Sequence, residues 1–128
     1  MAVEFNHTIV GSRDKRAGAA FLADVLGLPD PTPFGPFMEV RLDNGVSLDF
    51  IEHDGEIASA HYAFLVTETE FDGVLGRLQA KGVTYYADPG HREAGDINTN
   101  DGGRGMYFDD PNGHNLEVLT RPYGSGPA

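Results

Sequence analysis

An α+β fold of two βαβββ modules follows from three features of this sequence. Two short apolar strands each carry a histidine, an amphipathic helix follows each strand, and alternating runs follow each helix. The histidines, His7 in 3–10 and His61 in 59–66, lie 54 positions apart and mark an internal duplication. Each half has one helix and a few strands, too little to bury both faces of a sheet alone. The halves are therefore expected to pair into one curved, mostly antiparallel sheet cleft with the helices outside. The expected organisation is a single domain over 1–122, with module one at about 1–56 and module two at about 57–122. A flexible Gly/Ser/Pro tail is expected over 123–128.

In the first module the helix is expected over Ser12 to Leu26, with Ala17, Phe21, Leu22 and Val25 as its apolar stripe. It stops at Gly27-Leu28-Pro29, where glycine takes the left-handed cap and proline cannot continue the helix. Two alternating runs, 37–42 and 46–51, flank Asp43-Asn44-Gly45, a strong hairpin signal. In the second module Thr67 caps a helix over Glu68 to Lys81, with Phe71, Val74, Leu75 and Leu78 inward and Gly82 ending it. A strand at 83–86, a polar stretch over 88–102 and two closing strands around Asp110-Pro111-Asn112-Gly113 complete the chain. Asp49 and Glu117 hold comparable places in the two halves but stand 68 positions apart. The excess over the histidine offset is about the length of the polar stretch, so one insertion accounts for both spacings.

Composition narrows the function. The chain has 128 residues, is 40% hydrophobic and contains 8 Phe and 5 Tyr, which suits a globular domain and excludes disorder as its main character. No apolar run of membrane-spanning length is present, and the N-terminus lacks the order of a signal peptide, so a cytoplasmic location is expected. With no cysteine, disulfides, thiolate ligands and a cysteine nucleophile are excluded. A net charge of −11 argues against nucleic acid or an anionic membrane as partner.

Strand parity then sorts the candidate residues. Phe5, His7 and Ile9 share a face, as do His61, Ala63 and Leu65, and Ser47, Asp49 and Ile51. Glu117 sits mid-strand among apolar neighbours, where an uncompensated carboxylate is costly. Taken singly, His7 reads as a satisfied core histidine and Glu117 as a buried ion-pair partner. At repeat-related strand positions, His7, His61 and Glu117 point together to a divalent metal site, with Asp49 as a fourth candidate ligand. Zinc, nickel, iron(II) and manganese all accept this mixture of imidazole nitrogen and carboxylate oxygen. Tyr107 is expected to donate to a substrate oxygen or to line the pocket, and Arg92 and Arg104 to meet any anionic group. His53, His91 and His114, near turns, read as exposed. No serine stands in a nucleophile elbow, and Gly102-Gly103-Arg104-Gly105 lacks the Lys-Ser/Thr of a phosphate loop.

At these residues the chain resembles the vicinal oxygen chelate superfamily, which includes glyoxalase I, extradiol dioxygenases, fosfomycin-resistance thiol transferases and bleomycin-resistance proteins. Asn6-His7-Thr8-Ile9-Val10 with Phe21 to Leu28 is similar to the opening strand and helix of that superfamily. His61-Tyr62-Ala63-Phe64 resembles its second histidine strand, and Tyr107 to Glu117 its closing hairpin. The resemblance implies His7, His61 and Glu117 as metal ligands, with Asp49 near a fourth acidic position. It further implies a divalent metal, a small oxygen-rich substrate chelated to it, Glu117 doubling as a base, and a homodimer. The function so implied is a lyase, isomerase or dioxygenase. The alternatives are a bleomycin-resistance-type protein that sequesters a drug or metabolite without turnover, and a fosfomycin-resistance-like thiol transferase.

Overall fold

The computed structural model describes residues 3–126. The ends of the expected domain and tail, at 1–2 and 127–128, lie outside the described residues. The chain divides into two compact units, one ending at Ala58 and the other beginning at Ser59. The α+β class holds: among the described residues, two α-helices accompany two small sheets.

The first unit comprises β1 (His7–Ser12), α1 (Lys15–Leu26), β2 (Thr32–Phe34), β3 (Phe37–Arg41) and β4 (Ser47–Glu52), in sheet order β1-β4-β3-β2. β1 runs parallel to β4, and the β2-β3-β4 pairs are antiparallel. α1 begins later than expected, because the Asp14 side chain accepts from the backbone N–H groups of Arg16 and Ala17 and serves as its N-cap. Gly27, at φ 69°, closes it as anticipated. The apolar stripe differs from the expected one. Gly18, Ala19, Leu22, Ala23 and Val25 are buried, whereas Ala17 is exposed and Phe21 only partly covered. Small residues on the inner side bring α1 close to β3 and β4, leaving the larger Phe21 at the margin. β2 was not legible in advance. It is three residues long with Pro33 at its centre, on the outer edge of the sheet where proline is tolerated.

The second unit comprises β5 (His61–Leu65), α2 (Glu68–Lys81), a 3₁₀ turn (Asn100–Gly102), β6 (Gly105–Asp109) and β7 (Asn115–Leu119), in sheet order β5-β7-β6. The bounds of α2 match the expectation because its ends are chemically marked. Thr67 and Glu70 form a reciprocal capping box, and Gly82 at φ 69° terminates the helix. The strand expected at 83–86 is reduced to single bridges, from Tyr86 to Ala94 and to Tyr107. The following loop turns back on Tyr85 and Tyr86 through local bonds, so the backbone there is paired by the loop rather than by a full ladder. Phe64, Met106, Phe108, Leu116 and Val118 on one sheet face are buried, as are Phe71, Val74 and Leu78 of α2. Among the described residues, no helix is long and apolar enough to cross a membrane.

Candidate metal centre

The second unit gathers its polar candidates on the sheet face opposite that core. Strand alternation puts His61 and Ala63, Asn115 and Glu117, and Tyr107 and Asp109 on one side. The register then sets Ala63 and Tyr107 beside Glu117 on the central strand, with His61 beside Asn115. His61 therefore reaches diagonally, and its Nε2 lies 3.0 Å from Glu117 Oε1. Its ring stacks against Tyr107 with centroids 5.9 Å apart.

Donor and acceptor chemistry gives this contact its meaning. His61 Nδ1 lies 2.8 Å from the backbone carbonyl oxygen of Asn115, which can only accept, so Nδ1 carries the hydrogen. In a neutral ring Nε2 then presents a lone pair, aimed at a carboxylate oxygen. Two acceptors at that separation need a positive charge between them, from a second proton or from a metal cation. Glu117 is only 2% exposed, so its charge also needs local compensation. Tyr123 donates its hydroxyl hydrogen to Glu117 Oε2, and the Tyr107 hydroxyl stands 2.7 Å from that of Tyr123. Since Tyr123 spends its proton on Glu117, Tyr107 donates to Tyr123. Burial, with the negative Glu117 close by, pushes both phenol pKa values above the ordinary tyrosine value, most strongly for Tyr123. Both hydroxyls stay protonated donors at neutral pH.

Further support comes from the polar loop. Tyr86 and His91 stack with centroids 4.1 Å apart, and His91 Nε2 lies 3.0 Å from Asn115 Oδ1. His91 adopts φ 57°, a left-handed conformation that a non-glycine residue takes only when its surroundings hold it there. It is partly covered rather than exposed as expected. His114 departs further from expectation. It is 2% exposed, its Nδ1 accepts from the backbone N–H of Ala60, and Tyr62 meets its ring edge-on. Arg104 is likewise committed elsewhere, to Glu68 and Asp72 at 2.8 Å and over the Phe71 ring. Those contacts tie β6 to α2 and leave it a structural role.

The first unit repeats the arrangement. His7 pairs with Ser47 in register and Asp49 lies two residues on, as His61 pairs with Asn115 and Glu117 lies two residues on. Asp49 is thus the counterpart of Glu117 within the duplication. His7 Nδ1 lies 2.7 Å from Asn6 Oδ1, so when Nδ1 donates there the lone pair of His7 also falls on Nε2. Asp49 is buried, and its Oδ1 accepts from Ser47 Oγ at 3.1 Å. His7 and Asp49 line a polar cavity of about 300 Å³ together with Glu39, Arg41 and Ser47. With Nδ1 as the donor to an oxygen in each case, Nε2 is the nitrogen that either imidazole would offer to a metal. With a buried carboxylate oxygen, this donor set fits a divalent cation that accepts nitrogen and oxygen. Among the described residues, no three His, Cys, Asp or Glu side chains gather at metal-binding spacing.

A family-wide pattern described as the Glyoxalase/Bleomycin resistance protein/Dioxygenase superfamily matches residues 4–118. The chain belongs to this superfamily. Among solved structures, "Oxidase ChaP-H1" is 61% identical, with 96% of this chain and 99% of that chain covered at a TM-score of 0.94. "Oxidase ChaP-H2" is 60% identical, with 99% and 100% covered at a TM-score of 0.96. A structure described as a glyoxalase/dioxygenase from Nostoc punctiforme is 20% identical, with 93% of this chain and 91% of that chain covered at a TM-score of 0.69, and shares the fold. No protein of curated function matches this chain.

Sequence reasoning passed over Asn115 and Tyr123 and set His91 aside as exposed. For Asn115 a signal existed, since it shares strand parity with Glu117. Nothing local marks the other two, because a loop histidine and a tyrosine in a Pro/Gly-rich tail carry no periodicity.

Proposed function

We propose that this superfamily member is a divalent-metal-dependent enzyme that oxidises a small oxygen-rich molecule with dioxygen as oxidant. His7, His61 and Glu117 are its metal ligands, and His7 comes from the same chain or from a second copy. The observation that carries the reading is the His61 Nε2–Glu117 Oε1 contact, two acceptors converging with Nδ1 already anchored on Asn115. The oxidase names of two structures about 60% identical favour oxidation over isomerisation. A bound cation would supply Lewis acidity and open positions for substrate oxygens. The chain's own residues do the rest. Asn115 orients His61, Tyr123 and Tyr107 hold Glu117, and the stacked His61 and Tyr107 rings wall the polar face. Tyr107, its proton directed at Tyr123, lines the site and keeps Glu117 in place.

Metal analysis of purified protein, with dioxygen uptake on a panel of small hydroxylated and carbonyl compounds before and after chelation, tests this function. Turnover that survives complete metal removal would sink it.

Asp49 separates the oxidase from a glyoxalase-like isomerase, in which it would be a fourth ligand and Glu117 the base. The Asp49 side chain reaches about one carbon less far than the glutamate of a glyoxalase-type site, and its Oδ1 already accepts from Ser47, so Asp49 is assigned a place behind the ligands and not among them. The Asp49→Ala variant is expected to keep its metal affinity within about a hundredfold of wild type, less than loss of a ligand costs. A loss beyond the roughly hundredfold cost of removing an outer partner, measured by calorimetry, moves the reading to the isomerase.

A homodimer belongs to the same proposal. β1 and β5 are edge strands whose Ile9 and Leu65 are 55% and 61% exposed, and apolar edges of this kind call for cover. Light scattering at micromolar concentration should give twice the chain mass, and a monomer there contradicts it.

A further inference from the structure

Tyr123 lies beyond residue 118, where the superfamily-wide pattern ends, so its place at Glu117 is a property of this chain rather than of the pattern. Its ring is largely exposed, yet its hydroxyl reaches a carboxylate that is almost fully buried. Tyr123 therefore stands between solvent and Glu117. Specific bonds hold it there. The N–H of Gly124 donates to Asp101 Oδ1 at 3.1 Å, Arg121 donates to the Ser125 carbonyl at 3.0 Å, and the Ser125 N–H closes on the Pro122 carbonyl at 3.1 Å. The segment after β7 is a compact turn fastened to its own unit.

A carboxylate can ligate a cation through one oxygen or two. The two oxygens of Glu117 have different surroundings: Oε1 faces His61 Nε2, and Oε2 accepts from Tyr123. An oxygen that accepts a charge-assisted hydrogen bond is a poorer second ligand, because its electron density and its orientation are already committed. We infer that Tyr123 is a positioning residue that holds Oε2 of Glu117 and so makes Glu117 a one-oxygen ligand through Oε1. Tyr107, at 2.7 Å, completes the device by donating to Tyr123 and directing the Tyr123 proton at the carboxylate. The result is one coordination position kept open that a two-oxygen carboxylate would fill. The inference rests on the reading of Glu117 as a metal ligand.

Cobalt(II) is the probe, because its visible absorption weakens as its coordination number rises. Full-length wild type, Tyr123→Phe and Tyr107→Phe are titrated with cobalt(II), following both affinity and spectrum. Tyr123→Phe is expected to bind about tenfold to a hundredfold more weakly, the usual loss when a partner behind a ligand is removed. Its absorption should also be weaker at saturation, as Glu117 swings to two-oxygen ligation. Tyr107→Phe should shift both readouts in the same direction by a smaller amount. A general loss of structure would not reproduce a saturating site with a changed spectrum, and the Tyr123 ring is too exposed for the fold to depend on its hydroxyl. Wild type that binds cobalt, with a Tyr123→Phe variant of equal affinity and unchanged spectrum, overturns this inference alone. Wild type that takes up no cobalt overturns the ligand reading of Glu117 and the inference with it.

Discussion

Glu117→Gln and His61→Ala are each expected to abolish metal binding, with losses exceeding the roughly tenfold to hundredfold cost of removing an outer partner. The two side chains are the converging pair of the second unit, and the groups that touch them are weak replacements: Asn115 presents a backbone carbonyl already taken by His61, and Tyr123 a neutral hydroxyl. Glu117→Gln is the sharper test. It keeps the size of the side chain and leaves an oxygen for Tyr123, while the negative charge opposite His61 disappears. Folding should therefore survive, which circular dichroism checks, and calorimetric titration with zinc, manganese or iron(II) should show no site. Binding within tenfold of wild type in either variant would remove that residue from the ligand shell, and oxidation would need another centre.

The largest effect on stability is expected from Phe71→Ala. Phe71 is 0% exposed on the inner face of α2, in line with Val74 and Leu78, and its ring also carries the Arg104 guanidinium at 4.5 Å. Removing a fully buried phenyl group costs about 3–5 kcal/mol, from lost transfer free energy and the cavity left behind. A domain of this size has only roughly 5–15 kcal/mol in total, so the variant should unfold at much lower denaturant. Urea titration measures the change. A loss below about 1 kcal/mol would mean that α2 does not close this core.

Elements whose ends are marked by short-range chemistry are legible in the sequence. The bounds of α2 were legible because Thr67, Glu70 and Gly82 mark them chemically within a few residues. The Asn44-Gly45 turn was legible for the same reason, with Gly45 at φ 86°. α1 was harder. Its inner face uses Gly18, Ala19 and Ala23, whose small size is an advantage only against a sheet that approaches closely, and no helical periodicity reports that distance. The expected strand at 83–86 had suitable residues, Val83 to Tyr86, but no free strand to pair with along its length. β2 had unsuitable residues and paired nonetheless, because an edge position forgives proline.

The sequence by itself determined which side chains share a face. Strand alternation has a period of two, so parity put His61, Ala63 and Leu65 on one side and Asn115, Glu117 and Leu119 on one side of their strand, whatever the partners. It also exposed the duplication, since His7 and His61 recur with the same flanking pattern. Only the tertiary structure decided which atoms meet. Whether His61 lies beside Asn115 or one place along depends on pairing across 54 residues, and a slip of one would turn Glu117 to the opposite face. The same holds for Tyr123, whose hydroxyl finds Glu117 through a turn anchored on Asp101, 23 positions before Gly124. Local sequence sets the faces of a strand, but the register, and with it the chemistry of the site, is a long-range property of the packed chain.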